Sequence, residues 1–252
     1  MVPQVKPRVF ALLYGDHHAL HKRLLDSFDM AGVRDLPACL WLNTVCDQTR
    51  QRLKAAPANW RVFDSPENIG KYKAMRTMFE AVEADKDWNW VVWFDDDSYI
   101  ETPQWLPRTL ELIGHNLASA NAGDRRICYV GKCYLYKYTP GLWRAVKEAK
   151  WYKGVPPALH RGKQPIVNFA TGAYFWLKRE TRDLIDWPDP RLNHDGGDTL
   201  LAEAVRQQGL PFHKRCVVGV SINKAGRRGY REPRLGMGPA GAGLTWKDVG
   251  IA

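Results

Sequence analysis

The sequence predicts an α/β fold, a mixed and mainly parallel sheet flanked by helices, and three observations support this. Short apolar runs with strand character alternate along the chain with segments whose apolar residues recur at helical spacing, the pattern of a parallel sheet covered by helices. One of those runs, Trp90-Val91-Val92-Trp93-Phe94, is apolar on both faces, as a central strand is, and leads straight into Asp95-Asp96-Asp97. A chain of 252 residues, 45% hydrophobic and 25% charged, is long enough to bury a substantial core within a single domain.

In chain order, residues 8–14 (RVFALLY) read as a strand that ends at Tyr14-Gly15-Asp16. Residues 18–30 read as a helix with Leu20, Leu24, Leu25 and Phe28 on one face. A second strand is expected at 38–45, a helix at 47–55 and a short third strand at 60–63. The segment SPENIGKYKAMRTMFEAVEAD gives a loop and then a helix with Ala74, Met78, Ala81 and Val82 at helical spacing. After the aspartate strand comes a helix at 104–113. Residues 128–138 alternate well enough for a strand or hairpin, 168–177 read as another strand, 197–208 as a helix and 217–222 as a last strand. From 225 to 252 the chain is rich in Gly, Pro and Arg without periodicity, and is expected to be a mobile tail or lid. The organisation is therefore one domain at 1–224, built from halves at 1–100 and 101–224, followed by that segment.

Composition narrows the function classes. No run approaches the 18 or so apolar residues of a membrane span, so no span is expected. VFALLY is too short for a signal peptide, which together with five cysteines lacking any CxxC pair points to a cytoplasmic chain with reduced thiols. The net charge of +10 is concentrated: residues 125–182 hold thirteen Lys/Arg against Glu148 and Glu180, interleaved with eleven aromatics. Such a stretch suits a polyanion, nucleic acid above all, although aromatics in strands are commonly core. The glycines of the last segment do not follow a strand and open a helix, so they are no dinucleotide fingerprint.

Three adjacent carboxylates at the carboxyl end of a buried strand lie where open α/β sheets bind ligands. Their mutual repulsion calls for a divalent metal or a Lys/Arg cluster, a solvated turn being the bland alternative. Mg2+ or Mn2+ takes oxygen ligands and leaves positions open for substrate phosphates, and aspartates spaced i, i+2 can supply two of them. Lys71, Lys73 and Arg76 lie upstream, where they could reach a diphosphate or simply form a solvated helix face.

The stretch KYKAMRTMFEAVEADKDWNWVVWFDDDSYI resembles the Fringe-like, GT-A type glycosyltransferases, which show a Lys-bearing helix, an aromatic strand and an acidic triplet in this order. NFATGAYFWLKRET, from Asn168, is similar to that family's FATG segment, and GGDTLLAEAVRQQGLP, from Gly196, to its D-x-T helix start. The resemblance spans roughly residues 70–211. It implies a nucleotide-sugar donor, most simply a UDP-sugar, and a divalent metal held by Asp97 and Asp95. Asp95 and Asp96 would also reach the donor ribose or the metal's water. Tyr14, Gly15 and Asp16 would hold the nucleobase and ribose, Lys73 and Arg76 the diphosphate, and Gly172 would let the backbone approach the sugar. Asp198 is the implied general base, with Asp195 in reserve; an N-cap is the competing role for Asp198. Two departures stand out: no secretory anchor is expected ahead of the domain, and the family's late metal-binding His has no clear match, His213 coming too early.

The resulting expectation is a metal-dependent transferase moving a sugar from a nucleotide-sugar to an acceptor hydroxyl. The basic 125–182 stretch makes a 5-hydroxymethylated pyrimidine in DNA the sharpest acceptor, with Tyr174 or Trp176 as aromatic walls; polysaccharide, lipid-linked and protein acceptors are alternatives. A non-catalytic nucleic-acid-binding protein and a metal-dependent nuclease or phosphatase are the readings from other classes.

Overall fold

In the computed structural model, residues 4–118, 128–192, 196–210, 212–213 and 219–222 are described. Their elements are β1 (Pro7–Tyr14), α1 (His18–Met30), a 3-10 turn (Val33–Asp35), β2 (Ala38–Asn43), α2 (Asp47–Leu53), β3 (Trp60–Ser65), α3 (Lys71–Ala81), β4 (Trp90–Asp95), β5 (Ser98–Ile100), α4 (Trp105–Ala118), β6 (Tyr129–Lys137), α5 (Pro140–Lys147), β7 (Ala158–His160), β8 (Gln164–Lys178), α6 (Arg179–Leu184), α7 (Gly197–Gln207), β9 (Phe212–His213) and β10 (Val220–Ile222). The expected last segment, Asp195 and Cys216 lie outside the described residues. No described helix is long and apolar enough to cross a membrane.

The main sheet runs β3-β2-β1-β4-β8-β6-β9, with β7 added on β8. β3, β2, β1 and β4 are mutually parallel, and β8 runs antiparallel to both β4 and β6. This is the mixed, mainly parallel arrangement expected. β1 and β4 are central and buried on both faces, which explains their unbroken apolar runs. Phe10, Leu12, Val91 and Trp93 face α3 and α7 through Met75, Met78, Phe79 and Leu201. Val9, Ala11, Leu13, Val92 and Phe94 face α1 through Leu24, Leu25 and Phe28. Each such side chain contributes roughly 1.5–3 kcal/mol by leaving water.

Tyr174 and Trp176 belong to this core. Both are fully buried, and the Tyr174 hydroxyl accepts from Trp105 Nε1 at 2.9 Å and Trp176 Nε1 at 2.6 Å. They therefore cannot wall an acceptor pocket: an indole or phenol donor taken out of water needs a partner, and these have found one another. Burial also makes two thiols poor nucleophiles, pushing Cys39 up to about 11 and Cys128 up to about 12.

One irregularity shapes the cleft. Gly131 opposes Phe175 and Cys133 opposes Ala170, so two steps along β6 are matched by five along β8. The surplus residues of β8, Thr171, Gly172 and Ala173, line the cleft at the carboxyl ends of the parallel strands. Beyond them β8 continues as a ribbon between β6 and β7.

Candidate active site

The cleft has a volume of about 200 Å³ and is lined from both halves of the chain. β1 contributes Leu12 and Tyr14, β2 contributes Asn43, and the loop and first turn of α3 contribute Asn68, Lys71 and Tyr72. Asp95 and Asp97 come from the end of β4, and Gly196 and Asp198 from the start of α7. The parallel pairing sets the levels: Leu12 lies opposite Asp95, and Tyr14 opposite Asn43.

The three aspartates diverge. Asp95 Oδ2 accepts from Lys71 Nζ at 2.7 Å, and its Oδ1 accepts from Trp93 Nε1 at 2.8 Å. Asp96 is fully buried; its carboxylate accepts the Tyr14 backbone N–H at 3.0 Å and lies 3.4 Å from His21 Nε2. That corrects the assignment of Asp96 to the donor ribose: its side chain ties β4 to the end of β1 and does not line the cleft. Asp97, 6% exposed, lines the cleft beside Asp95. The cationic group that the triplet calls for is thus present in the fold as Lys71.

Lys73 and Arg76 are not in the cleft lining. On α3 the first-turn residues Lys71 and Tyr72 face inward; Lys73 is exposed. Arg76 instead binds Asp186 at 3.3 Å and the Pro188 carbonyl, in a separate depression with Glu83 and Trp187. Gly15 closes the end of β1 with φ at 67° and its N–H on Asn43 O at 3.0 Å. Asp16 is exposed just beyond and is not part of the cleft wall.

Asp198 lies in the first turn of α7, behind Gly196, which takes the N-cap position in a left-handed conformation. It is therefore a first-turn carboxylate at the positive end of a helix. Its Oδ1 accepts from Thr199 N at 2.9 Å and its Oδ2 from Gly172 N at 3.3 Å. Beneath it Tyr129 is fully buried; burial first, and the Asp198 charge second, push its phenol well above the usual value. The Tyr129 hydroxyl stays protonated and donates to Ala170 O at 3.4 Å.

Asn43 and Asn68 were missed in the sequence. Asn68 Oδ1 accepts from Asn43 Nδ2 at 2.7 Å and from Gly70 N at 3.0 Å, which fixes the amide so that its NH2 remains available to a ligand in the cleft. Asn-x-Gly ahead of a helix was the available signal. Among the described residues no group of three or more His, Cys, Asp or Glu could hold a metal by itself.

A parallel half carrying acids at its strand ends, joined across a cleft to an antiparallel half carrying another, is the arrangement of GT-A glycosyltransferases. The model of glycosyl transferase family 2 matches residues 44–184, more than half of the chain, and the protein belongs to that family. No curated protein matches the sequence. Among solved structures, the chain is similar to S. aureus TarS 1-349, with a TM-score of 0.54 and 15% identity over 84% of this chain and 59% of that one. The same TarS fragment in complex with UDP gives 0.53, 16%, 84% and 59%. The chain thus spans less than two thirds of that fragment, and at such identity the likeness is one of fold.

Proposed function

We propose that the protein transfers a sugar from a nucleotide-sugar, in the simplest case a UDP-sugar, to an acceptor hydroxyl. The observation that carries this is the convergence of Asp95, Asp97, Lys71 and Asp198, from three separate stretches of chain, on one cleft. The UDP bound by the TarS fragment of like fold supports the choice of donor.

The carboxylate donors facing the cleft fit Mg2+ or Mn2+, which favour oxygen. Asp97 would be the main protein ligand and Asp95 a second, since both Asp95 oxygens already accept one hydrogen bond but keep a further lone pair. When bound, the ion supplies charge neutralisation to the departing diphosphate. Tyr14 and Gly15, at the end of β1, hold the nucleoside, with the Asn68 amide as a donor to it. Asp198 accepts the proton of the attacking hydroxyl, at the N-terminus of α7 and next to the Gly172 backbone that approaches the sugar.

For the acceptor we retain an anionic polymer in the cytoplasm, in its sharpest form duplex DNA bearing a 5-hydroxymethylpyrimidine. What supports it is now narrower than the whole 125–182 stretch. Arg179 and Arg182 pair with Glu83, and Lys178 with Glu180, so these are structural. Lys132, Lys137, Arg161 and Lys163 are exposed on the β6-β8-β7 ribbon, alongside Tyr136 and Leu159 at 46% and 56% exposure. Exposed cations beside an exposed tyrosine suit phosphate neutralisation with base stacking.

A thermal-shift screen of nucleoside diphosphates with and without Mn2+ tests the donor, and stabilisation by UDP is expected. Radiolabelled transfer from a panel of UDP-sugars to hydroxymethylated and unmodified duplexes tests the acceptor. Binding should weaken with salt by a log-log slope of about −0.9 per phosphate contact, and replacing Lys137, Arg161 and Lys163 by Ser should flatten it. Transfer to neither duplex, with salt-insensitive binding, removes DNA and leaves the sugar transfer standing.

A further inference from the structure

Lys71 does more than balance Asp95. Its Nζ donates at 2.7 Å to Asp95 Oδ2 on the donor side of the cleft and at 2.7 Å to the Gly172 carbonyl on the other side. The same glycine donates its N–H to Asp198 Oδ2 at 3.3 Å. Asp95, Lys71, Gly172 and Asp198 therefore form one continuous chain of charge-assisted hydrogen bonds from the end of β4, across the looped part of β8, to the start of α7. The Lys71 side chain is 9% exposed, so this ammonium is desolvated and its position is held. Gly172 is required for the closeness: a Cβ there would lie 3.2 Å from Lys71 Nζ and 3.6 Å from Asp198 Cβ.

We propose that Lys71 is a positioning residue that sets the distance between the donor-side carboxylates and the proton acceptor Asp198, acting through the Gly172 backbone. The inference rests on the proposed sugar transfer. The chain places the Gly172 N–H, and through it Asp198, relative to the donor held at Asp95 and Asp97. With the ammonium gone, the β8 loop is still tied to the end of β4 through Ser98 Oγ, which lies 2.6 Å from the Asp95 carbonyl and 3.1 Å from the Ala173 carbonyl, but Gly172, the residue that meets Asp198, loses its Lys71 bond. The donor would still bind, but the acceptor hydroxyl and its base would no longer be held in line, and small misplacements of reacting groups cost rate heavily.

The test is a double-mutant cycle on single-turnover transfer, with UDP affinity measured by calorimetry in Mn2+. Lys71→Met should lower kcat by about tenfold to a hundredfold while leaving UDP affinity within about threefold. Combined with Asp198→Asn, the Lys71→Met change should cost little beyond Asp198→Asn alone, because both act on one step. Gly172→Ala keeps every charge and pushes the ammonium off by a few tenths of an ångström, so it should lower kcat in the same direction, by less than Lys71→Met, even if Lys71→Met itself folds poorly. Full multiplicativity of Lys71→Met with Asp198→Asn overturns the proposal, as does a Gly172→Ala enzyme with wild-type kcat. If the wild-type protein neither binds UDP nor transfers sugar, it is the functional reading that fails, and the cycle separates the two cases.

Discussion

At the amino-terminal ends of β1 and β4, the buried Arg8 donates to Asp85 at 2.5 Å and to Asp87 at 3.2 Å, with its guanidinium 5.7 Å from the Trp88 ring. At the carboxyl ends of the same two strands, Lys71 is the single Lys or Arg among the described residues lining the cleft, against Asp95, Asp97 and Asp198. The same residue chemistry is used in opposite ways. At the first end, acids and cations are matched within a hydrogen-bonded set that closes off the sheet. At the second, negative charge exceeds positive inside a concave surface, and a low-dielectric site with surplus charge draws a counter-charged ligand. Breaking the first end should therefore cost stability with little loss of activity, and breaking the second the reverse.

The largest effect is expected from Asp198→Asn. Loss of a proton acceptor should lower turnover by about 10²–10⁴, with the melting temperature nearly unchanged. A variant that keeps its activity and loses only thermal stability would make Asp198 a structural first-turn carboxylate. Asp97→Asn comes next. Metal-dependent UDP affinity should fall by about tenfold or more, given that changes outside the ligand shell already cost about 10–100-fold. Calorimetry with and without Mn2+ reads this directly, and unchanged affinity in Mn2+ would end the metal assignment.

Between the two ends lies the seam where β6 meets the looped part of β8. A Cβ on Gly131 would sit 2.5 Å from Ala170 Cβ and 3.2 Å from the Tyr174 carbonyl. Backbone and core atoms cannot yield cheaply, so Gly131→Ala should destabilise the fold by about 1–3 kcal/mol. Because Thr171–Ala173 are held by that seam, kcat should drop in the same variant. Equal stability by denaturant titration would show that β8 accommodates a different register.

How much of this was legible depended on how local the determinants are. β1, α1 and β4 were readable to within a residue, because apolar periodicity and burial on both faces fix them. Asp95, Asp97 and Asp198 were legible as candidates, and all three line the cleft. The direction of each carboxylate was not, since the pairing of β1 with β4 turns Asp96 towards Tyr14 and leaves Asp95 and Asp97 facing the cleft. Lys71 was named but passed over for Lys73 and Arg76; with Gly70 as N-cap, the first-turn position is the one that reaches the strand ends. α5 carried a readable start signal in Thr139-Pro140, the Thr139 hydroxyl accepting from Leu142 N at 3.2 Å, but its basic-aromatic composition drew attention to charge. The division of the 125–182 cations into ion-paired and exposed sets is tertiary. Nothing in spacing tells Arg179 on Glu83 from Lys137 on the ribbon.

The smallest expected effect sharpens the comparison from its quieter end. The Arg8 hydrogen bond, ahead of the other charges around it, holds the Asp85 carboxyl below the usual carboxylate range despite some desolvation. A carboxyl lowered in the folded state stabilises above its unfolded pKa and loses that contribution as pH falls through the folded value. Asp85→Asn should thus cost about 1 kcal/mol between pH 5 and 8, a partly exposed pair being worth little more. As pH falls below the usual carboxylate range and on through the lowered folded value, the wild-type carboxyl is itself protonated, and the two melting curves should converge. UDP affinity and kcat should match the wild type throughout, because Asp85 sits at the opposite end of the strands from the cleft. A gap in melting temperature that widens on acidification would mean that Asp85 is raised in the folded state, reversing the sign of its contribution. A loss of kcat at neutral pH with the fold intact would show that the two ends of the parallel strands are coupled, and that the division of labour between them is not as clean as their charges indicate.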